Sequence, residues 1–482
     1  MASTLIEEAR VALGGIGDLF SGLVSPTVRL GVTGLSRSGK TVFITALIHN
    51  LLHGGRLPLF NAQAEGRIVR AYLEPQTHDD VPRFAYEDHV AALTGADRAW
   101  PQGTRRISEL RLTVDYTARG LLARNTHGGQ LHIDIVDYPG EWLLDLPLMS
   151  MTYEEWSQAT LQQSRTGARL PLAGAFHAHL ATLEPDTPAS ESTAQEAARL
   201  FTAHLADCRT DDVSLSSLPP GRFLMPGDLE GSPLLTFAPL EVAPGTAARR
   251  GSLHAMMQRR YDSYVAHVVR PFFYDHFARL DRQIVLADLL TALNAGPAAV
   301  SDLSAALSAV LACFRQGANS WSSVFTGRRI DRILFTATKA DLLHHGSHDR
   351  LEAILRLVLE RALKRVEFSG ARLDVAALAA IRATREATVR QNGDILPCIV
   401  GTPEAGEVIG GELFDGETEA AIFPGDLPAD PAQALDGSMA GTIRFVRFRP
   451  PKLSTLPLRT SPAFPHIRLD RALEFLLGDR FR

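Results

Sequence analysis

One short stretch limits this chain more than any other: G-L-S-R-S-G-K-T at 34–41, directly behind the apolar run V-R-L-G-V-T at 28–33. A run of that kind reads as a buried strand. Val42, Phe43, Ala46, Leu47 and Leu51 beyond it lie on one face of a helix over 40–52. Strand, glycine-bearing loop and helix, in that order, is the setting in which G-x-x-x-x-G-K-[ST] holds a phosphate. Gly34 and Gly39 let the backbone N–H groups of the loop, from Ser36, Arg37 and Ser38 to Val42, curl around phosphate oxygens with no Cβ in the way. Lys40 supplies a compact positive charge to the β- and γ-phosphates, and the Thr41 hydroxyl is placed to ligate Mg²⁺.

Lysine usage sharpens this. The chain has only four lysines, Lys40, Lys339, Lys364 and Lys452, among 49 basic residues. A sequence that has nearly exchanged lysine for arginine keeps lysine mainly where a compact ammonium is needed. The net charge of −5 gives no overall basic footprint for nucleic acid. Cys208, Cys313 and Cys398 are far apart and fit neither a disulfide framework nor a zinc spacing, so buried thiols in a reducing, cytoplasmic compartment are expected. No apolar run reaches membrane-spanning length. Leu5, Ala9, Ala12, Ile16, Leu19 and Leu23 follow helical spacing in segment 1–26. That helix either docks on the chain's own core or meets a membrane surface or partner.

Two further motifs carry chemistry. In L-H-I-D-I-V-D-Y-P-G-E-W, Asp137 falls at the carboxyl end of a buried strand, where a doubly wound sheet presents its ligand site. A carboxylate there holds Mg²⁺, usually through water, and Gly140 offers a backbone N–H to a γ-phosphate. Asp134, mid-strand, reads as a paired structural acid. The second motif is I-L-F-T-A-T-K-A-D-L-L, where Thr338, Lys339 and Asp341 fit [NT]-K-x-D at the end of a strand. The Asp341 carboxylate would accept from the N1–H and 2-amino group of guanine, whereas adenine would leave it unpaired. Two of the four lysines thus stand in the two motifs that want one.

Along the chain, strands are expected at 28–33, 107–116, 131–136, 282–290, 331–337 and 374–382, with loops at 53–106 as an insertion. Residues 150–280 form a longer helical insertion, with helices at 191–207 and 252–280 around an irregular middle at 209–250. Further helices are expected at 300–315 and 348–366. Beyond 391, short strands (395–400, 420–423, 442–448) make a small β-rich appendage closed by a helix at 468–478. The fold class is therefore α/β: a mostly parallel, doubly wound sheet with one antiparallel edge strand, split between 27–149 and 281–390. That motif order matches a Ras-like P-loop G domain. Arg382, Ala383 and Thr384, after the last strand, stand where backbone groups reach the guanine O6.

The stretches G-L-S-R-S-G-K-T-V-F-I-T-A-L-I-H-N-L-L, W-P-Q-G-T-R-R-I-S-E-L-R-L, D-I-V-D-Y-P-G-E-W-L-L-D-L-P-L, L-N-A-G-P and T-A-T-K-A-D-L-L-H-H together resemble the YcjX family (DUF463) of bacterial stress-associated P-loop proteins, over essentially the whole chain. The resemblance implies a cytosolic G domain with large helical insertions that binds GTP and GDP with Mg²⁺. It also implies that Thr104 is the switch threonine closing on the metal and γ-phosphate, with Thr94 and Thr113 as competitors, and that 140–149 is the second switch. A protein effector is implied but not named, and the oligomeric state is left open. Glu141 stands where many small GTPases have glutamine; it either orients water or acts as base, or is a salt-bridge residue. Arg37 either stabilises transferring charge or turns to solvent or an acid. With no strong catalytic glutamine, slow intrinsic hydrolysis is expected. An ATPase or phosphotransferase, and a nucleotide-dependent scaffold without useful turnover, are the rival readings.

Overall fold

The computed structural model describes residues 26–34, 37–104, 106–118, 129–210, 213–316, 330–365, 371–391, 394–437, 439, 441–443, 445–453 and 462–481. The apolar segment at 5–23 and Ser36 lie outside them.

The centre is a seven-stranded sheet built from β1 (Thr27–Gly34), β2 (Ile68–Glu74), β3 (Ser108–Tyr116), β4 (Gly129–Asp137), β5 (Arg282–Ala287), β6 (Arg332–Ala337) and β7 (Arg372–Ala377), in the order β2-β3-β4-β1-β5-β6-β7. β1 pairs in parallel with both β4 and β5, with Leu30 facing Ile135 on one side and Arg282 on the other. β3 runs antiparallel to β4. Alternate residues of each strand feed opposite cores, as the pleat demands. Ile284, Leu286 and Leu334 join Phe43, Leu47 and Leu473 on one face; Val285, Ile333 and Phe335 join Leu307, Leu355 and Trp142 on the other.

The antiparallel strand expected at the edge is second from it, because β2 covers it with antiparallel pairing. Segment 53–106, read as loops, therefore contributes a strand, and also a helix at Tyr86–Thr94. β2 has no clean alternation because it is an edge: Val69 is 68% exposed and Arg70 pairs outward with Asp115. The strand expected over 282–290 stops at Ala287, where the Asp288 carboxylate accepts from Thr291 N–H at 3.2 Å and starts the helix Leu289–Ala295. The strand expected over 374–382 leaves the ladder after Ala377, keeping a single bridge from Ala379 to Ile467.

In the insertion, the helix Tyr153–Ser164 opens with a reciprocal cap between Thr152 and Glu155. With Glu191–Cys208 and Leu253–Tyr264 it encloses Trp156, Phe201, Phe237 and Tyr261, and Trp156 stacks on Tyr261 at 5.3 Å. The helix expected over 252–280 widens into π-type turns at Val265–Val269 and Phe272–His276, on either side of Pro271, which has no N–H to give. The insertion's aromatics and the sheet's second face belong to one apolar cluster.

The appendage pairs β8 (Arg385–Gln391), β9 (Asp394–Gly401) and, beyond the small hairpin of β10 (Val408–Ile409) and β11 (Glu412–Leu413), β12 (Ala420–Ile422), in the order β12-β9-β8. Segment 442–448, read as a strand, pairs among the described residues through a single bridge, from Phe448 to Pro403. The closing helix Leu469–Leu477 packs under the central sheet beside Lys40–Leu52, through Leu473 and Leu476. Cys208 and Cys398 are buried thiols, and burial pushes Cys208 up to about 11; the Cys313 side chain lies outside the described residues. Among the described residues no helix is long and apolar enough to cross a membrane.

Candidate nucleotide-binding site

β1 ends at Gly34 and the helix Lys40–Leu52 begins six residues later. Gly39 takes φ +79° to make that start, and Arg37 is also left-handed at φ 59°. A Cβ on Gly34 would lie 2.0 Å from Ser38 Oγ. The helix has no side-chain cap and no acid in its first turn. Its first N–H groups and its dipole therefore face the loop, an arrangement that favours an anion.

Four sequence-selected side chains meet here. Asp137, the last residue of β4, takes Lys40 Nζ at 2.5 Å on one oxygen and the Thr104 hydroxyl at 2.6 Å on the other. The Thr41 and Thr104 hydroxyls are 3.3 Å apart. Asp137 and Lys40 are both buried. The competing threonines stand elsewhere: Thr94 bonds back to Val90 O in its own helix, and Thr113 donates to Glu74 in mid-sheet. Asp134 is held by Arg111 at 2.6 and 2.8 Å, a paired structural acid as expected. Two hydroxyls and a carboxylate form a hard-oxygen donor set, which suits Mg²⁺ better than a soft metal.

Gly140 closes this end. A Cβ there would lie 2.1 Å from the Gly34 carbonyl oxygen. Gly140→Ala must push the two loops apart, at a cost of about 1–3 kcal/mol. A lower melting temperature together with weakened phosphate binding is the expected outcome, checked by calorimetry and nucleotide titration.

The segment after it, Gly140–Ser150, is almost entirely buried beneath the insertion. Glu141 pairs with Arg209 at 2.9 Å. The Arg222 guanidinium lies 3.1 Å over the Trp142 ring, and Trp142 Nε1 donates to Met225 O at 3.1 Å. Asp145 accepts from Gly221 N–H and from the Tyr264 hydroxyl, both at 2.6 Å, and burial raises its carboxyl to about 6.

At the far end, Thr338 N–H donates to Ala287 O at 3.0 Å, and Lys339, at φ 60°, reaches Asp288 at 2.5 Å. Asp341 is buried. One carboxylate oxygen accepts from Ala383 N–H at 2.9 Å, and its backbone carbonyl accepts from the Thr384 hydroxyl at 2.5 Å. Burial raises the Asp341 carboxyl to about 6, against the pull of the Ala383 N–H and of the Arg382 and Lys339 charges. Arg382 itself turns aside to Thr384 O and Glu386. The two ends line one cavity of about 430 Å³, which runs from Gly34, Lys40 and Thr104 to Thr338, Asp341 and Ala383.

Several lining residues carry no motif and were not selected from the sequence: Trp100, Arg209, Met225 and the irregular stretch Phe445–Phe448. Trp100 Nε1 donates to Phe448 O and Arg98 to Pro450 O, both at 2.6 Å, so the segment before Thr104 is strapped to the C-terminal part. A tryptophan between loop signals was the only local hint.

A Ras-like α/β sheet with its phosphate, carboxylate and T-K-x-D elements at the strand ends defines the class of protein. The family model described as "YcjX-like family, DUF463" matches residues 28–481, and the chain belongs to that family. It is 36% identical over 466 residues to the "Ras-like GTPase YcjX" of Escherichia coli K12, covering 94% of this chain and 96% of that protein. It is 35% identical over 472 residues to the protein of the same name from Shewanella oneidensis, covering 94% of each.

Proposed function

We propose that this chain is a regulatory GTPase that binds GTP and GDP with Mg²⁺ and turns GTP over slowly. The observation that carries this reading is the single cavity, about 430 Å³, that joins Lys40, Thr104 and Gly34 to Asp341 and Ala383. The name of both relatives, Ras-like GTPase, supports the same reading. Lys40, the loop amides from Ser36 to Val42 and the Gly140 N–H hold the phosphates. Asp341 reads the base, Thr338 and Lys339 shape its floor, and the backbone at Arg382–Thr384 closes its edge. Thr41, Thr104 and Asp137 would hold Mg²⁺, which when bound neutralises charge on the β- and γ-phosphates. Arg37 lines the same cavity and would stabilise charge on the phosphates.

Closure of Thr104 and Gly140 on a γ-phosphate pulls on two lobes. Thr104 connects through Trp100 and Arg98 to the C-terminal part, and Gly140 through Trp142 and Asp145 to the insertion. We place the output for a protein effector on the insertion surface, with a stress response as the setting that the family resemblance suggests. The deciding test is equilibrium binding of GTP, GDP and ATP, with identification of the nucleotide that accompanies the purified protein. ATP binding as tight as GTP binding overturns the guanine reading. A scaffold without useful turnover is favoured by one observation, the burial of Gly140–Ser150 under the insertion. Phosphate release assayed with and without liposomes or cell extract separates the two.

A pH dependence follows from Asp341. In the free protein its carboxyl titrates near 6, and the guanine donors favour the ionised form, so the bound value is lower. Affinity is therefore half lost near pH 6, full only well above it, and lost further as pH falls. Dividing wild-type by Asp341→Asn affinities for GDP cancels the titration of the phosphates. That ratio is expected to drop about tenfold by pH 5. A ratio that stays flat from pH 7 to 5 counts against Asp341 as the base reader.

A further inference from the structure

We propose that Arg209, a residue of the 150–280 insertion, is a catalytic arginine of the phosphate cleft, and that Glu141 is the positioning residue that stations it there. This rests on the GTP reading of the cavity.

Arg209 stands at the C-terminal end of the helix Glu191–Cys208, its own N–H bonded to Ala206 O and Asp207 O, so its backbone is anchored. Its side chain enters the cavity that Lys40, Thr104 and Pro139 also line. There its Nη2 lies 2.9 Å from Glu141 Oε1, and the two side chains are only 23% and 11% exposed. Glu141 directly follows Gly140, whose backbone abuts the Gly34 carbonyl. The guanidinium is therefore held one residue away from the place where the γ-phosphate is read. An independent sign of its position comes from Arg37: burial first, and then the charges of Arg209 and Arg447, lower the Arg37 pKa. Arg447 is itself tied to Glu407 at 2.7 Å. Arg37 and Arg209 reach the cleft from different parts of the chain, and their charges suit a ligand with several negative charges.

The anchoring makes delivery internal. Arg222 on Trp142, and Gly221 and Tyr264 on Asp145, fix the segment after Gly140 to the insertion that carries Arg209. No second protein is needed to bring an arginine in. In hydrolysis the oxygen of water bonds to the γ-phosphorus as the bond to the β,γ-bridging oxygen breaks. The electron pair leaves with GDP, and the proton of water passes to the released phosphate. Negative charge grows on the bridging and γ-oxygens, and a planar fork of donors stabilises it in a way that a lysine ammonium does not. A triphosphate outbids the single carboxylate of Glu141 for the guanidinium, so the Glu141 pair is the waiting position and the γ-phosphate the working one.

The test is single-turnover hydrolysis of GTP by the full chain with Arg209→Ala, Arg209→Lys and Glu141→Gln, alongside titration of fluorescent GDP with and without aluminium fluoride. Arg209→Ala and Arg209→Lys are expected to lower the hydrolysis rate by at least ~10³-fold. GDP affinity should stay near wild type in both. Arg209→Ala, which leaves Glu141 unpaired, lowers the melting temperature, whereas Arg209→Lys keeps a charge beside Glu141 and should hold it, which separates catalysis from folding. The wild-type chain should form the aluminium fluoride complex without any added protein, both Arg209 variants should fail to, and Glu141→Gln should still form it. Hydrolysis in Arg209→Ala within ~3-fold of wild type, against the ~10³-fold expected of a catalytic arginine, overturns the assignment and leaves the nucleotide reading intact. GTP binding without phosphate release by the wild-type chain does the same. Failure of the wild-type chain to bind GTP at all overturns the nucleotide reading and this proposal together.

Discussion

Asp341→Asn should bind GTP roughly 10³-fold more weakly than wild type and gain affinity for xanthosine triphosphate. The guanine edge presents two donors, N1–H and the 2-amino group, and a carboxylate accepts both. An asparagine turns one acceptor into a donor, which then faces the 2-amino group of guanine with both partners buried and unpaired. Xanthine has a carbonyl in place of that amino group, so the mixed pair fits it. The substitution should leave the fold in place. Ala383 N–H, 2.9 Å from one Asp341 oxygen, still finds an acceptor in the asparagine oxygen, and the Thr384 hydroxyl bonds to the backbone carbonyl, which does not change. The fully buried site also stops carrying a carboxylate that burial has already raised to about 6. Competition of both triphosphates against fluorescent GDP checks this. GTP affinity unchanged by the substitution would end the assignment of Asp341 to the base.

Lys40→Ala should lose both nucleotide binding and stability, through different terms. The loss of the ammonium removes a charge-assisted bond to phosphate and is expected to cost ~10²-fold or more in affinity. Without any ligand, it also leaves Asp137 buried, among the described residues, with the Thr104 hydroxyl at 2.6 Å but without the Lys40 ammonium that stood at 2.5 Å. Removing one member of a buried pair costs about 3–5 kcal/mol, because the remaining charge is uncompensated. A double-mutant cycle separates the two terms. Lys40→Ala with Asp137→Asn removes the unpaired charge, so stability in urea should return most of the way, while binding of GDP stays lost. Recovery of binding in the double variant would contradict the phosphate role of Lys40. An equal loss of stability in the single and double variants would contradict the buried-pair account.

Local chemistry explains which parts of the fold were legible. The expectation of a Ras-like sheet rested on the order of the motifs and on the apolar residues of β1, β4, β5 and β6, the central strands of the sheet. The family resemblance pointed to Thr104, just before a strand, over Thr94 and Thr113, and the structure brings it to Asp137 and Thr41. β2 escaped because an edge strand with an exposed valine and outward arginine has no period to detect. β8, R-E-A-T-V-R-Q, escaped for the same reason. The strand expected at 442–448 does not form as a ladder; its apolar residues Phe445, Val446 and Phe448 instead line the cavity.

Residue type and spacing alone set which chemical groups the chain places at its strand ends. Glycines that a left-handed turn or a close backbone approach requires, a lysine kept among arginines, and carboxylates at Asp137 and Asp341 are properties of residue type and spacing. Only the tertiary structure decided what faces them. Arg209 lies 68 positions from Glu141 and belongs to no motif, yet the packing of the insertion on Gly140–Ser150 puts the two 2.9 Å apart. Periodicity and motifs report short-range order along the backbone; an ion pair across two lobes depends on how distant apolar surfaces are buried against each other, and no local pattern encodes that.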